Sequence, residues 1–146
     1  MITLRWNQAV VNNLERAIVR GVRRATHLVE SRARLLCHKA AKPVRKKRKR
    51  RTSRGSKGGT YTIWIGSKPG EPPMMRTRLG VRSIASEFED GGLTGKVGVK
   101  RNAVYMLYLE TGTRTIQPRP WLLRAFEETK DMATALIQAE IAGAVS

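Results

Sequence analysis

The sequence predicts an α+β domain in which a long N-terminal helix and a C-terminal helix pack on a small antiparallel β-sheet. Three observations predict it. Apolar residues recur at helical spacing near both ends of the chain, short alternating segments lie only between those ends, and glycine-rich turns separate the segments. With 146 residues the chain fits a single domain spanning 1–146.

The first helix is expected from Thr3 to Ala41. Its stripe runs Val11, Leu14, Ile18, Val22, Ala25 and Val29, skips Arg32 and resumes at Leu36. Arg16, Arg20, Arg23, Arg24, Glu30 and Arg34 fall largely off it. Thr3 or Asn7 offers an N-cap, and Pro43 stops the helix because the residue before a proline leaves the α region.

A basic stretch follows. Between Lys39 and Lys57 there are eleven Lys and Arg and no acidic residue, so of the formal net charge of +18 only +7 remains for the rest. Residues 42–59 show no apolar periodicity, and their like charges repel. They are expected to form a flexible or partner-ordered arm inserted before the first strand. Arg45, Lys46, Lys47, Arg48, Lys49, Arg50, Arg51 and Arg54 are its candidate contacts to DNA or an acidic protein surface. Such contacts are salt-dependent and blind to base sequence. No aromatic lies inside the arm, which argues against base stacking from it.

Thr60–Gly66 alternates Tyr61, Ile63 and Ile65 against Thr62 and Trp64, a strand pattern. Ser67–Pro73 (SKPGEPP) is an ordered, extended loop because its prolines exclude helix and central strand. Val81–Glu89 and Gly95–Val99 read as an antiparallel hairpin turned by Asp90-Gly91-Gly92. Ala103–Glu110 is open between strand and short helix, and Gly112 breaks it. Pro120 introduces the C-terminal helix, Trp121 to about Ala142, with Leu122, Phe126, Ala133, Leu136 or Ile137, and Ile141 on its buried stripe and Leu123 and Met132 beside it. Tyr105, Tyr108, Trp121 and Phe126 are expected in the core or at a subunit interface.

Several function classes are disfavoured. A single cysteine, Cys37, cannot form an internal disulfide. His27, Cys37 and His38 lack zinc-ligand spacing, so no metal or other cofactor is expected. Glu87, Glu89, Asp90 and Glu110 could supply a metal-dependent nuclease, but three of them sit beside a turn, where acids are usually solvated. GSKGG and GSKPG do not match a phosphate loop, and no serine lies in a nucleophile elbow. No enzyme is expected. No apolar run approaches the ~18 residues of a membrane span, and the first residues lack the pattern of a secretory signal.

Two stretches taken together resemble a known family. The first is Ser67–Pro73 followed by RTRLGVRSI (Arg76–Ile84); the second is YMLYLETGTR (Tyr105–Arg114) followed by PRPWLLRAFE (Pro118–Glu127). Their order and spacing are similar to the neck and minor tail proteins of long-tailed double-stranded DNA phages, the head–tail joining or tail-completion family. There the pattern runs PGxPP, a TGxLxxSI-like strand, YxxxxExGT and PxPFLxxAF. Here Arg78 stands at a usual glycine, Leu79 sits one position early with Gly80 in the usual leucine place, and Trp121 replaces phenylalanine. The resemblance covers less than half the chain.

It implies a structural virion protein, not an enzyme, that forms a ring, usually a hexamer, in the phage neck. Its partners would be further copies of itself, a head-side connector or stopper, a tail terminator or tail tube, and the double-stranded DNA in the channel. No membrane is involved: the location implied is the virion neck, and the host cytoplasm during assembly. Ring or neighbour contacts fall on Pro69, Gly70, Pro72, Pro73, Glu110, Gly112, Thr113, Arg114 and Trp121. A tail terminator capping the tube is the close alternative, and a non-viral basic nucleic-acid-binding protein a more distant one.

Overall fold

The computed structural model describes residues 7–47 and 59–145. Within them the chain is α+β: a long N-terminal helix α1 (Gln8–Leu36) and a C-terminal helix α4 (Leu122–Val145) pack together and against a small antiparallel β region. Between the helices lie β1 (Lys42–Lys47), β2 (Thr60–Ile65), a one-turn helix α2 (Leu79–Ser83), β3 (Ile84–Glu89), β4 (Thr94–Val99) and a short helix α3 (Tyr105–Thr111). The strands form two separate two-stranded sheets, β1–β2 and β3–β4.

Helix α1 starts where Asn7 caps it, the Asn7 Oδ1 accepting from the Ala9 N–H at 3.1 Å. It ends at Leu36, six residues before the strand that carries Pro43, so that proline is not its stop. Buried Ala17, Gly21, Ala25, Val29 and Ala33 recur every four residues and make a narrow ridge of mostly small side chains. Helix α4 answers with Ala125 and Thr129, its buried residues. Small residues let the two backbones come close. A Cβ on Gly21 would lie 2.9 Å from the Ile137 Cα.

The expected stripe of α4 holds at Leu122, Ala133, Leu136, Ile137 and Ile141, all half-buried, and fails at Phe126. Phe126 is 53% exposed and Leu123 56%, while Ala125 is fully buried. The buried hydroxyl of Thr129 donates to the Ala125 carbonyl at 2.7 Å, so it enters the interface without an orphaned polar atom. Ion pairs clasp the rim: Glu140 meets Arg20 and Arg24, and Glu128 meets Arg32 and Arg124. Hydrogen bonding from Arg20 holds the Glu140 carboxyl below the ordinary carboxylate range, and Arg32 does the same for Glu128.

The β3–β4 hairpin lies on α1. Its register pairs Ile84 with Val99 and Glu89 with Thr94, around a turn where Gly91 and Gly92 have φ of +68° and +100°. Gly95 allows the closest contact: a Cβ there would come within 1.9 Å of the Thr26 Oγ1. The expected strand from Val81 begins instead at Ile84, because Leu79–Ser83 winds into α2. Gly80 is pressed against Tyr105, Met106 and Met75, where any Cβ would lie within 2.9 Å of each. Alternation in Val81–Ser83 carries no information about that packing. Ala103–Glu110, open from sequence, resolves as a 3₁₀ turn (Arg101–Ala103) and α3.

The core gathers under the C-terminal half of α1: Ala33, Cys37, Met75, Ile84, Ala103, Met106, Trp121 and Ala125. Burial pushes the Cys37 thiol up to about 12, with the nearby Glu110 carboxylate adding to it, so Cys37 stays a neutral packing residue.

Glu30, placed off the stripe by sequence, is buried between α1 and β3. Its Oε2 accepts from the Ser86 hydroxyl at 2.6 Å, its Oε1 pairs with Arg34 at 2.5 Å, and Arg34 also donates to the Ile84 carbonyl at 2.7 Å. Burial alone would raise the Glu30 carboxyl. Ser86, Arg34 and His27 outweigh it and hold the group below its ordinary value of 4.5. A folded-state value below the unfolded one stabilises above pH 4.5 and is lost as pH falls through the folded value. Glu30→Gln is therefore expected to lower the melting temperature at neutral pH, with the gap to wild type closing on acidification below that range. A gap that stays constant down to pH 3 or so would mean that Glu30 carries no such linkage.

Candidate functional site

Two features stand out from the body: the β1–β2 hairpin and the loops that carry the two motifs. The hairpin corrects the first part of the expected flexible or partner-ordered arm over 42–59, since Lys42–Lys47 is a strand. It pairs antiparallel with β2, from Lys42 opposite Ile65 to Lys47 opposite Thr60. Basic side chains give no strand signal of their own; the apolar partner β2 supplies it. Pro43 lies opposite Trp64 in a two-stranded sheet, where both strands are edges and proline is tolerated. Arg45, Lys46 and Lys47 are exposed on β1, while Arg48, Lys49, Arg50, Arg51 and Arg54 lie outside the described residues.

The hairpin is tied to the body at its base. Ala41 N–H donates to the Met75 carbonyl at 3.0 Å and Met75 N–H to the Lys39 carbonyl at 2.9 Å. The Arg76 guanidinium lies 5.0 Å from the Trp64 ring centroid. Beyond that base the strands are largely solvent-exposed, Tyr61, Trp64 and Ile65 among them. Lys42, Arg45, Lys46 and Lys47 face no acidic residue within the two strands.

The motif loops meet each other. Gly70, at φ +80°, donates its N–H to the Pro118 carbonyl at 3.0 Å, which joins the Pro69–Pro73 loop to the loop after α3. The Glu71 carboxylate accepts from the Lys68 N–H at 3.0 Å and closes the first loop on itself. Pro69 and Gly70 remain exposed, Pro72 is half-buried, and Pro73 is fully buried.

In the second motif the most consequential residue is Glu110. Its Oε2 accepts from the N–H groups of Trp121 (2.6 Å) and Leu122 (2.9 Å), and its Oε1 from that of Leu123 (2.9 Å). One carboxylate thus satisfies three of the donors that an α-helix leaves unpaired at its start. It also sits at the positive end of the α4 dipole. Gly112 takes φ +76°, ψ 173°, a region essentially reserved for glycine. A Cβ would also press on the Ile116 carbonyl and Pro118 at 3.0 Å. Thr113 Oγ1 then accepts from the Ile116 N–H at 3.1 Å, which folds the Thr113–Gln117 loop. Thr113 and Arg114 are exposed.

Three expected contact residues are therefore corrected. Trp121 is 1% exposed and its indole N–H donates to the Met106 carbonyl at 3.1 Å, so it serves the interior. Pro73 is likewise internal, and the Glu110 carboxylate is engaged within the chain. Pro69, Gly70, Thr113 and Arg114 keep a free surface on one side of the molecule's motif loops.

Of the four aromatics expected in the core or at a subunit interface only Trp121 is buried, and sequence reasoning missed the exposed Leu107 and Ile116 beside the others. Tyr105, Leu107, Tyr108 and Ile116 are exposed on and after α3, and Leu123 and Phe126 are exposed on α4. Leu123 and Phe126 border a groove of about 640 Å³ between α1, β4 and α4, with Val22, Val29, Val97 and Ile137 also lining it. The every-fourth-residue run of small side chains in α1 was the available signal that α4 would come close enough to bury Ala125 and Thr129.

Among the described residues no group of three His, Cys, Asp or Glu is placed to hold a metal ion, and no helix is long and apolar enough to cross a membrane. No family model, curated protein or solved structure matches this chain.

Proposed function

We propose that the chain is a structural subunit of the phage neck, a ring protein that completes the tail and joins it to the DNA-filled head. The reading rests first on one observation: a cationic hairpin stands off a compact helix–sheet body whose motif side exposes apolar residues. A body that needs neighbours and an arm that needs a polyanion together suit a ring around DNA. The ordered pair of motifs supports the same reading by resemblance. Gly112 and the Glu110 cap give the second motif a physical reason for its fixed spacing.

On this reading the subunit is not an enzyme and takes no cofactor. Six copies would multiply the arm's charge into a cationic collar. Pro69, Gly70, Thr113 and Arg114 would meet neighbouring copies or rings, with a connector or stopper on the head side and a terminator or tube on the tail side. The protein would reside in the virion neck after assembly in the host cytoplasm.

The test is electron microscopy of a lysate from phage carrying a stop codon at Trp6. Filled heads beside separate tails of normal length are expected. Overlong tails would reassign the protein to tube termination, and intact infectious particles would leave a nucleic-acid-binding protein as the better reading. The arm has its own check. Replacing Arg45–Arg51 by glutamine should flatten the plot of log binding constant for duplex DNA against log salt, by about 0.9 for each phosphate that the arm no longer neutralises. An unchanged slope would remove the DNA role.

A further inference from the structure

Two uncovered surfaces of this chain complement each other. The first is the α1–β4–α4 groove, about 640 Å³, whose outer wall is Leu123 and Phe126. Glu127 and Asp131 lie one helical turn apart next to that wall, both exposed, and neither has an ion pair among the described residues. The second surface is one face of the β1–β2 hairpin. The register places Tyr61, Ile63 and Ile65 there with their partners Lys46, Val44 and Lys42. It is an apolar stripe bordered by two lysines, with Tyr61 and Ile65 exposed.

A two-stranded hairpin is marginal alone in water and gains most from burying such a face. Among the described residues, none of β1 or β2 lines the chain's own groove. Both surfaces occur on every copy, so a second copy always brings the matching half.

We propose that the β1–β2 hairpin of one copy seats in the α1–β4–α4 groove of the next. Tyr61 and Ile65 lie against Leu123 and Phe126, and Lys42 and Lys46 face Glu127 and Asp131. Lys130 also lines the groove, so α4 offers only one net negative charge over Glu127, Lys130 and Asp131. Apolar burial then supplies the affinity and the lysine–carboxylate pairs set the register. The contact is heterologous, hairpin to groove, so repeated use closes a ring or runs on as a filament. It deepens the neck reading and rests on that reading for the presence of neighbouring copies.

Sedimentation velocity on the full chain, up to about 100 μM, covers the weak complexes expected of a small interface. Wild type should self-associate. Phe126→Ala should weaken association by about tenfold or more, as should Glu127→Lys combined with Asp131→Lys. Because these side chains are exposed, circular dichroism should show an unchanged fold. Adding Lys42→Glu and Lys46→Glu to the α4 double variant should restore association, which a merely destabilised surface would not allow.

A monomeric wild type, association indifferent to these changes, or a charge swap without rescue each overturns the proposal. The two readings fail separately. Separated heads and tails in the stop-codon lysate with a monomeric chain sink only the hairpin contact. Association through this contact beside intact stop-codon particles sinks only the neck role.

Discussion

Trp121→Ala is expected to lower stability by about 3–5 kcal/mol, the usual cost of truncating a fully buried tryptophan. At this chain length that is a fall of about 10–15 °C in melting temperature. Two effects add. The indole is the largest buried side chain of the main core, which it shares with Met106, Cys37 and Ala125, and its N–H donates to the Met106 carbonyl. Alanine leaves a cavity and removes that hydrogen bond. Trp121→Phe separates the two. It keeps most of the ring volume and loses the hydrogen bond, so a smaller loss of about 1–2 kcal/mol is expected. Phenylalanine is also the usual residue here in the phage family that the motif resembles. Chemical denaturation of both variants decides the matter. A loss under about 1 kcal/mol for the alanine variant would show that the core does not depend on this ring.

How much of this was legible in the sequence depends on the range of the interactions. Patterns with short periods were legible. The helical recurrence in Val11–Leu36, the turn at Asp90-Gly91-Gly92 and the alternation of Tyr61–Ile65 all foretell the elements found. Local patterns failed where a distant partner decides. Lys42–Lys47 is a strand because β2 pairs with it, and Leu79–Ser83 is a helical turn because Gly80 packs under Met75 and Tyr105. Hydrophobicity found the α4 face but erred at one position. Large Phe126 was the obvious buried residue, yet the buried positions of α4 are the small Ala125 and Thr129, opposite the small ladder of α1. The candidate site divides in the same way. The motif residues could be named as a set from their spacing. Which of them face outward, as Thr113 and Arg114 do, and which face inward, as Trp121 and Pro73 do, needed the fold.

Glu110 shows how a residue marked by a motif can act through the fold. Glu110→Ala is expected to cost about 2–4 kcal/mol, more than an ordinary cap, because three backbone donors lose a charged acceptor at once. Glu110→Gln keeps one acceptor oxygen but no charge at the helix start, so a loss between wild type and alanine is expected. The effect should also be local. The first turn of α4 carries Leu123 at the groove rim and is held to α3 by this carboxylate across the Thr113–Gln117 loop. Hydrogen exchange should therefore rise first at the amides of Trp121, Leu122 and Leu123, while the amides in the middle of α1 stay protected. If the alanine variant melts within a degree or so of wild type and those three amides exchange no faster, the cap contributes nothing. A motif glutamate spaced eleven to thirteen residues before the helix start would then need another explanation. With the cap in place its spacing follows from geometry. Glu110 must lie at the end of α3, Gly112 must reverse the chain, and the proline-bearing segment Pro118–Pro120 must return the α4 amides to the carboxylate. The exposed motif residues, Thr113 and Arg114, are then carried on a loop pinned at both ends, rigid enough to present a constant surface to whatever neighbour they meet.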